Sequence, residues 1–277
     1  MAIDANLAEK LVIENFEALS PNTIGFIKNF TLDFSDKAMD SRFLTQGIMI
    51  PVTTSVGSVN TDPASFGTNT RTVSGAPVAM HLYSVDWSEN YNDAVPGENS
   101  LQTAIETLAE KLGQVTLDCF STANGFGTMT ADVAGAVTDD AKNELYQGIY
   151  AGLTKAGAKY LIGNSALYSK ALPVNRNSFD VSKEGARGFA GVYESSILGS
   201  NVGVVCNKKA LGIVNLIPEF KIDGLESQII TIDSLGGLKV ALNKWSDLSS
   251  RAVKWSLDVA YGVGVFDKDS AKIITQG

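Results

Sequence analysis

The sequence predicts an α+β fold, with an antiparallel C-terminal sheet and one long helix lying on a sheet by a narrow apolar stripe. Three stretches carry that expectation. Val253, Trp255, Leu257, Val259, Tyr261, Val263 and Val265 are apolar at successive odd positions, and a period of two held that long marks a half-buried antiparallel strand. Leu101, Ile105, Leu108, Leu112, Val115 and Cys119 recur at alternating steps of four and three, the stripe of an amphipathic helix over 98–123. Residues 48–90 are rich in Val, Thr and Ser, with a turn-forming centre at 61–67.

Taken in order, residues 5–19 read as a short helix with Leu7, Leu11, Phe16 and Leu19 near helical spacing, stopped by Pro21. Residues 22–47 read as an extended arm with Phe26, Phe30, Phe34 and Phe43 as spaced apolar anchors. Ile48–Asn60 and Asn69–Trp87 then form the arms of a long β-hairpin around a broad tip. An isolated two-stranded ribbon is marginally stable in water, so something else must cover it. Ser100 or Asn99 suits the N-cap of the long helix, and Asn124-Gly125 suits its end. A second helix spans about 140–157 with Asp139 or Asp140 as cap, followed by a strand at 159–162 and a third helix at 165–172 ended by Pro173. Residues 174–191 read as a loop, and strands follow at 202–206, 212–216 and 228–233. Leu238–Trp245 pairs with the long C-terminal strand across Ser246–Ser250.

Composition narrows the function. The chain has 277 residues, 22 Lys plus Arg against 30 Asp plus Glu, and a net charge of −8, with a pI near 4.7. A surface of that sign is a poor binder of free nucleic acid, which needs a basic face. Charged residues make up 19%, against roughly 25% in ordinary soluble domains, and mean hydropathy is +0.07. With no apolar run near the roughly 18 residues of a membrane span, that balance points to surface hidden against other subunits. The N-terminus lacks the apolar core of a secretory signal. Two cysteines make no disulfide framework, so synthesis in the cytoplasm is expected.

Catalytic constellations are scarce. The single histidine, His81, leaves few ways to build a nucleophile–base pair or a zinc site. No glycine-rich loop precedes a Lys-Ser/Thr pair. Gly262-Val-Gly264 lacks the third glycine of a dinucleotide fingerprint and lies inside a strand, and in Gly199-Ser-Asn-Val-Gly203 the serine stands one place too early for a nucleophile elbow. Cys119 fits a core stripe and Cys206 a buried strand; Asp132, Asp139 and Asp140 together could bind a cation loosely, but helix capping explains Asp139 and Asp140 at least as well. Arg187, Lys208 and Lys209 read as solvated loop charges. No catalytic residue, cofactor or metal is expected.

The element order, and the ending Gly237–Asp247 followed by Ala260-Tyr-Gly-Val-Gly-Val-Phe-Asp-Lys-Asp-Ser-Ala-Lys-Ile-Ile274, resemble the tailed-bacteriophage major capsid proteins of the Hong Kong 97 type. The resemblance implies an N-terminal arm (1–47), an extended β-hairpin loop (48–90), a peripheral domain (91–143) with a spine helix (98–123), an axial α/β domain (144–225) and a return to the peripheral antiparallel sheet (226–277). It implies a homo-oligomer of pentamers and hexamers in an icosahedral shell around double-stranded DNA. Scaffold, portal and decoration proteins would be partners, no membrane would be involved, and the location would be the virion. An encapsulin-type nanocompartment shell is the alternative, and an unrelated α+β enzyme a third. Inter-subunit contacts are expected at Phe26, Phe30, Phe34, Asp62, Pro63, Phe66 and Arg71. About 47 residues precede the hairpin, so no scaffolding segment is expected to be cut away. There is no lysine between Lys37 and Lys111, so the loop-lysine cross-link of some relatives is expected to be absent.

Overall fold

A computed structural model of the chain describes residues 5–19, 24–38, 48–55, 72–90, 97–171, 188–198, 201–218, 224–247, 249 and 252–277. Among these residues there are four α-helices, α1 (Ala5–Leu19), α2 (Glu98–Asp118), α3 (Asp139–Gly152) and α4 (Ser165–Ala171). The strands are β1 (Thr31–Ala38), β2 (Ile48–Ser55), β3 (Thr72–Val78), β4 (His81–Asn90), β5 (Gly127–Ala131), β6 (Lys159–Gly163), β7 (Gly191–Glu194), β8 (Gly203–Asn207), β9 (Leu211–Ile217), β10 (Glu226–Ile232), β11 (Leu238–Asp247), β12 (Ala252–Val265) and β13 (Ala271–Gln276). They make a six-stranded sheet, a five-stranded sheet and a two-stranded ribbon.

β12 is the spine of the larger sheet. One edge pairs antiparallel with β4, from Ala252↔Asn90 to Tyr261↔His81. The other edge pairs first with β11, Ala252 to Asp258, and then with β9, Ala260 to Val265. β1 lies parallel to β9, and β10 closes the far edge beside β11. The arm therefore includes an edge strand of this sheet. Where β9 gives way to β11, Asn215 fills the break: its Nδ2 donates to Lys239 O (3.2 Å) and Ala260 O (3.0 Å), and its Oδ1 accepts from Lys239 N–H (2.7 Å).

The odd-position face of β12 packs under α2 and α1. Leu101, Ile105, Leu108 and Leu112 from α2, Val12 and Phe16 from α1, and Trp255, Leu257, Val259 and Tyr261 form one core. On α1 the buried positions are Ala8, Val12 and Phe16, while Leu7 is 45% exposed, one residue round from the stripe expected. Thr116 and Tyr261 share a buried hydroxyl–hydroxyl hydrogen bond of 2.8 Å that pins helix to sheet. α2 ends at Asp118, short of the expected 123; a separate turn of 3₁₀ helix at Thr122–Asn124 closes on Gly125 at φ +85°, a conformation glycine takes without steric cost.

The smaller sheet runs β5-β13-β8-β6-β7. Tyr146 and Ile149 of α3, Leu153 just after it, and Leu167 and Ala171 of α4 cover one side, meeting Leu161, Val205 and Ile274. Ile162, Val204, Cys206 and Ile273 face the main core on the other. Buried on both sides, β8 is apolar along most of its length, Gly203-Val-Val-Cys-Asn207. Chain order and sheet membership part company here: β9 belongs to the larger sheet, while β5 and the last strand, β13, belong to the smaller one. β7 lies at the end of what the sequence reads as loop, and Thr138 caps α3, its hydroxyl accepting from Ala141 N–H (3.2 Å). Asp139 and Asp140 fall inside the first turn, where acids complement the helix dipole. No described helix is long and apolar enough to cross a membrane.

Candidate assembly surfaces

β2 and β3 pair antiparallel with each other and with no other described strand. The second hairpin arm expected over 69–87 is thus two strands: β3 stays in the ribbon, and β4 leaves it to join the larger sheet. The handover is anchored. Val78 and Met80 are buried against Val214 and Leu216 of β9 and Ala260 on the even-position face of β12. Gly262 makes the approach possible, since a Cβ there would lie 2.6 Å from Ala79 O, 2.7 Å from Met80 Sδ and 2.8 Å from Val78 Cγ1. β12 is consequently buried on both faces across 255–262, not half-buried as its alternation suggests. The small even-position residues are where another segment presses in.

β4 runs on under α2 with Trp87 stacked on Trp255, centroids 6.4 Å apart and planes at 10°, and the Lys244 ammonium sits 5.0 Å from the Trp255 ring. The Glu89 carboxylate accepts from Trp87 Nε1 (3.0 Å) and from Gly97 N–H at the start of α2 (2.7 Å), so the helix is capped from the neighbouring strand and not by Asn99 or Ser100. Between β4 and the second half of α2 an open groove of about 460 Å³ is floored by Leu82, Tyr83, Val85 and Leu108, with Glu110 and Lys111 on its rim.

The even-position face beyond the ribbon base is polar. Asn243, Ser256 and Asp258 are buried at 1%, 5% and 4% exposure; Asp258 Oδ2 accepts from Asn243 Nδ2 (2.5 Å) and Ser256 Oγ (3.0 Å). Burial raises the Asp258 carboxyl above its ordinary range, Ser84, Ser256 and Asn243 counter that by hydrogen bonding, and Asp86 adds to it by like charge. Burial also pushes the Cys119 thiol up to about 11 and the enclosed Cys206 thiol higher still, so neither is a ready nucleophile near neutral pH. His81 is exposed on β4. Among the described residues no group of three His, Cys, Asp or Glu could hold a metal ion, and Asp132 instead accepts Gly135 N–H in a turn (2.8 Å).

Of the expected contact residues, Phe26 and Phe30 are each 1% exposed and belong to the chain's own core, where Phe30 meets Phe120 at 5.9 Å. As anchors they hold this part of the arm to its own core. Phe34 stands on β1 opposite Asn215 of β9. Asp62, Pro63, Phe66 and Arg71 lie outside the described residues, as do Arg187 and Ser200. Sequence reading passed over Asn215 and Glu89. The polar residue within the apolar run Leu211–Ile217 was the signal for the first, while nothing local marks the second, whose partner is eight residues away.

Solved structures of phage and related capsids match nearly the whole chain and show that it has a Hong Kong 97-type capsid fold. A virus-like particle from Pyrococcus furiosus aligns at TM-score 0.59 and 13% identity over 97% of this chain and 98% of its own. The capsid of a native gene transfer agent particle aligns at 0.56 and 13% over 92% and 91%. A chain from a solved structure of Gordonia phage Cozz aligns at 0.53 and 13% over 92% and 87%. No protein-family model and no curated protein matches the sequence.

Proposed function

We propose that the chain is the major capsid protein of a tailed bacteriophage, assembling into an icosahedral shell around packaged double-stranded DNA without catalysing a reaction. The observation that carries this reading is β2–β3, a ribbon paired with no other described strand in a chain whose fold is that of shell subunits. In this reading the arm precedes residue 48, the extended loop is the β2–β3 ribbon, α2 (Glu98–Asp118) is the spine helix on the larger, peripheral sheet, and the smaller sheet with α3 and α4 is the axial domain. A ribbon that cannot bury itself gains its cover from the next subunit, and modest contacts repeated around a closed shell add through multivalency. The net charge of −8 suits a wall that must not hold the genome fast. Scaffold, portal and decoration proteins are the partners this role calls for, in the cytoplasm during assembly and in the virion afterwards.

A second reading, an encapsulin-type compartment, draws support from the Pyrococcus furiosus particle, whose chain is matched over nearly its full length. Electron microscopy of the expressed, purified protein tests the shared claim: closed shells support it, and monodisperse monomers or dimers overturn it. Portal and terminase genes beside this one favour the phage reading, and a gene for an enclosed enzyme favours the compartment.

A further inference from the structure

We infer that the β2–β3 ribbon docks on a second copy of this chain through its faces, and that its edges are barred from adding a strand to that copy's sheet. The inference rests on the shell reading above and adds the mode of contact. In an antiparallel pair, residues alternately turn their N–H and C=O groups towards the partner strand and away from it. Proline has no N–H, so it sits in such a ladder without loss only where that group points outward. Pro51 pairs with Gly75 and Pro77 with Met49. The two pairs are two residues apart and therefore share one phase, so the outward positions are 49, 51 and 53 on β2 and 73, 75 and 77 on β3.

Each edge has thus lost one outward donor. On β2 it is the central one, and on β3 it is the one nearest the anchored base. An incoming strand would leave its own carbonyl unpaired opposite Pro51, in the middle of the new ladder. Prolines at outward edge positions are a recognised way for proteins to keep strands from adding. β10, the far edge strand of the larger sheet, carries none in Glu226-Ser-Gln-Ile-Ile-Thr-Ile232, so the feature belongs to the ribbon. Strand addition draws affinity from main-chain hydrogen bonds; a ribbon deprived of them must rely on side chains above and below its plane.

The test replaces the opposed outward residues Thr53 and Val73 together, once by proline and once by alanine, and compares shell yield with the unaltered chain by sedimentation and electron microscopy. Proline removes the outward donors of Thr53 and Val73 without breaking the ladder, leaving only those of Met49 and Gly75, and alanine keeps all four. Face docking predicts that the proline variant yields shells at least as well as the alanine variant, within about twofold. Shells from the alanine variant alone, with proline cutting yield tenfold or more, would overturn the inference, because the outward N–H groups would then be in use. A proline variant that melts well below the alanine variant as an unassembled subunit would overturn it equally, by placing those N–H groups inside the ladder. If the unaltered chain forms no shells, the shell reading itself fails and takes this inference with it.

Discussion

Asn215 shows how one side chain settles a topological problem. β9 and β11 meet end to end along one edge of β12, and a gap between strand ends would strand the backbone groups of Lys239 and Ala260, both buried residues. The Asn215 amide satisfies both with one donor group and one acceptor. Asn215→Leu keeps the volume and removes the pairing, leaving buried polar groups that cost about 1–3 kcal/mol each. The expected loss is about 3 kcal/mol, or roughly 6–12 °C in the melting temperature of the unassembled chain, measured by scanning calorimetry. Asp258 makes a prediction of opposite sign. Its folded carboxyl binds a proton more tightly than the ordinary value of 3.8, so the folded state holds more protons than the unfolded one just above that pH. Stability therefore falls as pH rises from near 4 through the raised folded value. Asp258→Asn removes the charge, and the variant is expected to melt higher than the parent at pH 7 while the two converge at pH 4. Parallel melting curves across that range would contradict the assignment.

Among the elements, legibility followed whether the signal was local. β11 and β12 are readable because period-two alternation and a polar turn are written into 238–265, and α2 because its stripe is. The covered second face of β12 is not readable: alternation tells which face is apolar, whereas Val78 and Met80 arrive from residues 180 places upstream. β3 and β4 read as one arm because the break at Ala79-Met80 has no glycine, asparagine or proline of its own, and β-propensity does not name a strand's partner. β5 and β13 pair in parallel across the whole domain, which no neighbouring residues announce. The close approach at the ribbon base has a direct consequence. Gly262→Ala places a methyl group within 2.6–2.8 Å of Ala79 O, Met80 Sδ and Val78 Cγ1, and overpacking of that kind costs about 1–3 kcal/mol. Because the strain falls where the ribbon leaves the sheet, shell yield is expected to drop more than subunit stability does. Equal losses in both would show that the ribbon base is an ordinary piece of core.

At the scale of the whole molecule, the shell reading separates a body with its own core from a ribbon that pairs with no other described strand and would complete itself on a neighbour. The body is the two sheets with their helices, joined by a common core. The capsid-type fold was legible in the order of its elements, whereas the surfaces that would meet were not: Phe26 and Phe30, conspicuous as spaced aromatics, turned out to be internal. Spacing along a chain carries no information about whether an anchor holds its own subunit or the next. The claim that the ribbon belongs to assembly and not to folding is tested most directly by deleting residues 62–70 and examining the product beside the unaltered chain by electron microscopy and thermal unfolding. Shortening a loop changes chain entropy little, so the deleted subunit is expected to melt within a few degrees of the parent while closed shells fail to form. Normal shells from the deleted chain, or a subunit that no longer folds, would contradict the account.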